Sequence, residues 1–150
     1  MRKPITAAVS ILFSGWLHAA PDNTITVETI REQNLTPIAA EELQKLVQGG
    51  VTVSHRAPST GNWRRASLKD DGTLTIANRS TNNGGQSGSN GTGTWKLEGN
   101  RMCLDIKWSG GSSTEAWCRG IYRHNGAMYS VPVNLEKANA ATYGLIEVSD

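Results

Sequence analysis

From Val51 onward, apolar and polar residues alternate in short runs separated by turn residues, and a period of two is the mark of half-buried β-strands. The clearest run is "WKLEGNRMCL", in which apolar positions flank Gly99-Asn100 symmetrically, the signature of a hairpin closed by a tight two-residue turn. That register sets Glu98 opposite Arg101, Leu97 opposite Met102 and Trp95 opposite Leu104. The large apolar residues then share one face, which Ile106 and Trp108 extend, while Cys103, Asp105 and Lys107 point the other way. "SGGS" supplies a four-residue loop to the next strand, which brings Leu104 opposite Trp117 and Cys103 opposite Cys118.

The same reasoning places further strands. "NWRRASL" and "TLTIANR" flank Asp70-Asp71-Gly72, and a turn with a bulge at Gly72 sets Leu68 against Leu74 and Ala66 against Ile76. Asn125-Gly126 closes another hairpin, with Tyr122 facing Tyr129. In that strand Trp117 and Ile121 fall opposite to Tyr122, so a bulge is expected near Gly120. With "VTVSH" and "TYGLIEV" the pattern gives about seven or eight short antiparallel strands, a mainly β fold. The predicted architecture is a small antiparallel β-barrel or sandwich, a lipocalin-like meander, with one short N-terminal α-helix.

The helix is the one clear departure from a period of two. Thr36 suits an N-cap, Pro37 a first helical position, and Glu41 and Glu42 the first turn. Ala39, Leu43, Leu46 and Val47 form one apolar stripe, and Gly49-Gly50 ends it, so the spacing predicts a helix over Pro37–Gln48. Before it, "NTITVETI" reads as an edge strand or a loose arm.

The chain opens on Met1-Arg2-Lys3, a short apolar run and Ala19-Ala20, the organisation of a secretory signal peptide. The expected division is residues 1–20 as signal, 21–36 as N-terminal arm and 37–150 as a single β-rich domain, periplasmic or secreted and without a membrane anchor. This changes the charge reading. Of 15 basic residues Arg2 and Lys3 belong to the signal, which leaves 13 against 13 acidic ones. No basic stripe remains to suggest nucleic acid. In an oxidising compartment, two cysteines set opposite each other and lacking a C-x-x-C spacing read as one structural disulfide, Cys103–Cys118.

The run "AAEELQKLVQGG", then "DDGTL", "GTGTWKLEGNRMCLDI" and "AWCRGIYRHNGAMY" resembles a family of small exported proteobacterial domains of unknown function, over roughly Glu41 to Val131. The resemblance implies a lipocalin-like β half-barrel and brings no activity with it. The long Gly/Asn-rich insert departs from the family's compact form.

Candidate chemistry is sparse. Ser80 to Gly93, "STNNGGQSGSNGTG", reads as a long loop, a mobile hairpin tip or a binding loop offering Asn83, Gln86 and Asn90. Its glycine spacing does not fit a phosphate cradle. Trp63, Arg64 and Arg65 form an aromatic–cationic group suited to a partner, unless Trp63 lies under the N-terminal helix. His55 and His124, with Asp105 or Glu115, are the residues available for a metal or acid–base site, and nothing in their spacing requires one. No catalytic set, cofactor or metal is expected. Two functions follow: a non-catalytic module that binds another periplasmic or extracellular protein, as inhibitor or accessory subunit, or a carrier of a small apolar ligand in a lipocalin-like cup.

Overall fold

The hairpin registers read from the sequence are those of the folded chain. The computed structural model describes residues 24–56, 62–80, 88–132 and 142–149, the side chains of residues 56 and 142–147 excepted. Residues 1–20, read from the sequence as a signal peptide, and the start of the expected arm lie outside the described residues. In chain order the elements are β1 (Thr24–Thr26), α1 (Val27–Glu32), α2 (Ala40–Val47), β2 (Val51–Arg56), β3 (Trp63–Leu68), β4 (Thr73–Arg79), β5 (Gly88–Glu98), β6 (Arg101–Trp108), β7 (Thr114–His124), β8 (Ala127–Pro132) and β9 (Thr142–Ser149). Leu68 pairs with Leu74 and Ala66 with Ile76. Trp95 pairs with Leu104, and Leu97 with Met102. Cys103 lies opposite Cys118, to which it is disulfide-bonded, and Leu104 opposite Trp117.

The strands form one antiparallel sheet, in which β2 to β8 follow each other as a meander. The sheet curls into a half-barrel, and β9 joins its ends. It pairs with β2 from His55↔Ile146 to Thr52↔Ser149, with β8 at Met128↔Ile146 and Tyr129↔Leu145, and with the short β1 at its start. The fold is therefore the mainly β, barrel-like meander expected.

Two hydrophobic clusters lie on opposite faces of the curled sheet. The inner one gathers Val53, Ala66, Leu68, Leu74, Ile76, Met102, Leu104, Ile106 and Ile121, with Ile38, Leu43 and Val47 from the α2 region. The outer one joins Ile25, Val27 and Ile30 to Tyr122, Ala127, Tyr129 and Val131. This outer cover removes the need for the expected bulge at Gly120. The register of β7 runs unbroken through Gly120 to both neighbours, so Ile121 faces the inner core and Tyr122 the outer one.

Three local expectations are corrected. The segment read as a strand or arm holds β1 and a second helix, α1, whose N-cap Thr26 accepts the Thr29 amide at 3.0 Å. Burial of Val27 and Ile30 against β7 and β8 sustains this short helix, since tertiary contact outweighs local pattern in one this short. Helix α2 starts at Ala40, three residues after Pro37. Pro37 instead bridges to Tyr122, and the Ile38 amide donates to the Ile121 carbonyl at 2.8 Å, so Thr36-Pro37 is extended chain tied to β7. Finally, Gly88 to Gly93 is strand and not loop: Asn78 pairs with Ser89, and Ile76 with Gly91. A β-carbon on Gly91 would lie 3.0 Å from the Ile76 and Ile106 side chains, so glycine here makes room for the core.

Candidate functional site

On β3 the alternation that buries Leu68 and Ala66 carries Arg64 to the same inner face. On β7 the residues facing β6's Met102, Leu104 and Ile106 are Arg119, Trp117 and Glu115. With His55, two positions beyond Val53 on β2, these strands bring a polar group together away from α2. Arg64 Nη1 donates to Glu115 Oε1 at 2.6 Å, and Trp108 Nε1 donates to Glu115 Oε2 at 3.3 Å. The Arg64 guanidinium stands 5.6 Å from the Trp108 ring centre, and that of Arg119 4.7 Å from Trp117.

The electrostatics follow from this crowding. Burial holds the His55 pKa down, to about 4, and the charges of Arg119 and Arg64 add to the effect while Glu115 opposes it. His55 is therefore neutral at pH 7. Each oxygen of Glu115 already has a donor. The enclosed space beside these residues, between Val53, His55, Arg64, Met102, Leu104 and Trp117, is about 10 Å³, room for a single water. Trp117 Nε1 and Asn78 Oδ1 are buried and have no partner among the described residues. The group is an ion-pair network that ties β3 to β7 through the interior, with one carboxylate shared between a guanidinium and an indole.

The outer face of the same strands is different. The three adjacent residues Trp63, Arg64 and Arg65 divide between the faces, because a strand's side chains alternate. Trp63 and Arg65 point outward, and Trp63 lies directly across from Arg79 of β4. With Ser54 they line a surface groove of about 550 Å³. Trp63 is half-buried and belongs to neither core cluster, and neither described helix covers it: α2 packs into the inner core and α1 on the outer face of β7 and β8. Asn90 is exposed on β5, and its Oδ1 accepts from Arg79 Nη1 at 3.1 Å. Asn83 and Gln86 lie outside the described residues.

Of the four residues weighed for a metal or acid–base site, only His55 and Glu115 come together. His124 contacts Asn125 at its turn, 3.0 Å away, and Asp105 is exposed on the outer face. Glu98 lies close to the two cysteine sulfurs, but those are bonded to each other and offer no thiolate. From the sequence, Arg79 and Arg119 are not singled out, and Trp108 is placed only as an extension of the apolar face. Their signal was present in the alternation, since Arg79 shares a face with Thr75 and Ala77, and Arg119 with Trp117.

No family model, no curated protein and no solved structure matches the chain. The resemblance to small exported proteobacterial domains thus rests on the quoted motifs alone.

Proposed function

We propose that the chain is an exported, non-catalytic module that binds another protein, as an inhibitor or an accessory subunit. The observation that carries this reading is the enclosed space between the inner-face side chains described, about 10 Å³, against the several hundred Å³ a small-molecule carrier encloses. Trp95, Leu104 and Trp117, which would line a carrier's cup, pack on the inner core and border a groove of about 580 Å³ that is open to solvent, not an enclosed cup. Recognition then falls to the outer surface, where a half-buried tryptophan and two arginines share a groove. Aromatic and arginine side chains are the residues that most often anchor protein interfaces. Export fits the Cys103–Cys118 disulfide, which persists in oxidising compartments.

Native mass spectrometry of the protein, gently isolated from its own periplasm or medium, tests the reading. A stoichiometric protein partner is the expected result. A bound mass of a few hundred daltons would replace it with the carrier reading, and a bare monomer at every concentration tried would remove its support.

A further inference from the structure

We infer that the groove on the outer face of β2, β3 and β4 docks an extended, acidic segment of the partner protein. This deepens the protein-binding reading and rests on it. Arg65 follows Trp63 by two residues on the same strand face, and Arg79 stands across from Trp63 on β4, so two guanidiniums flank one indole. Arg64, Arg101 and Arg123 each reach a carboxylate, at 2.6, 3.6 and 2.7 Å. Among the described side chains no carboxylate reaches Arg65 or Arg79. Among the described residues Arg79 donates to neutral acceptors, the Asn78 carbonyl and Asn90 Oδ1. Among the described residues, the acidic position in register with the groove is Glu147, opposite Ser54. The groove therefore offers two charge-assisted donors and a flat apolar surface, which suit a carboxylate side chain beside an apolar one.

The surface next to it favours a peptide. A smaller groove of about 400 Å³ adjoins the first through Arg65, and its lining includes Thr52, Ser67, Thr75 and Thr92. These four residues lie opposite one another across β2, β3, β4 and β5, forming a row of hydroxyls. Hydroxyls are neutral donors and acceptors, matched to the amides of a main chain. A polyanionic polysaccharide or nucleic acid would instead require a run of cations, and here the hydroxyl positions separate Arg65 from the single Lys107 opposite Thr92.

The test is fluorescence anisotropy on the intact protein, using a labelled peptide of alternating Glu and Phe. Saturable binding is expected, about tenfold weaker for Arg65→Glu, for Arg79→Glu and for Trp63→Ala, and unchanged for Lys45→Glu on α2. Arg65→Gln, which keeps the strand's polarity, is expected to give an intermediate loss if a charge reversal perturbs the fold. Equal binding of a Lys/Phe peptide, tighter binding of heparin fragments, or no effect of the arginine variants would overturn the inference. If the native partner stays bound to the Arg65→Glu/Arg79→Glu double variant, the inference fails while the protein-binding reading stands. If the wild-type protein carries no protein partner, that reading fails, and the peptide titration decides the groove by itself.

Discussion

His55 is half-buried beside two arginines and one glutamate, and this makes stability pH-dependent. Its pKa is about 4 in the folded chain against an ordinary 6.5. Between those values the unfolded chain takes up a proton that the folded chain refuses. The stability contributed by neutral His55 is thus fully present above pH 6.5 and is lost as pH falls towards 4, a total of about 3 kcal/mol. Urea unfolding at pH 7 and pH 4.5 should show this loss, and His55→Gln should remove most of it. Glu115 holds Arg64, and the two side chains are 30% and 25% exposed. Glu115→Ala should therefore cost about 2 kcal/mol, less than breaking a fully buried pair. A denaturation curve in which Glu115→Ala matched the wild type would reduce the network to a surface contact.

At the scale of elements, β5 carries the least expected chemistry. A β-carbon on Gly93 would lie 1.8 Å from the Asp105 carbonyl oxygen of β6. Gly93→Ala should destabilise by about 3 kcal/mol, through displaced backbone. Gly99→Ala, at an open turn position with φ +60°, should cost about 1 kcal/mol. Thermal melts of the two variants side by side separate close approach from turn strain. The disulfide joins β6 to β7 across 15 residues of chain, and Cys103→Ser should lower stability by about 3 kcal/mol.

These elements also show what the sequence made legible. The β3–β4, β5–β6 and β6–β7 registers were readable because turn residues and alternation agree there, and the cysteine pairing followed from them. Gly88 to Gly93 was misread because glycine and asparagine signal a loop by local preference, whereas this strand needs their small size to admit Ile76 and Ile106. Helix α1 has no helical pattern of its own strength. The misplaced start of α2 arose because Thr36-Pro37, good capping residues, are used to tie the chain to β7. The inner polar network was out of reach, since it needs β2, β3, β6 and β7 to curl around a common interior.

Across the whole molecule, every strand pairing from β2 to β8 joins neighbours in the chain, and β9 alone reaches back from Ser149 to Thr52. Hairpins between neighbours close quickly, and a pairing across such a distance forms slowly. Folding therefore resembles zipping followed by a clasp. Until β9 is seated, the free sides of β2 and β8 are both bare strand edges, templates for another chain. A second copy's β9 fits those edges as well as the chain's own does, so strand exchange between copies is the natural misassembly of this fold, favoured by crowding during refolding and suppressed by dilution.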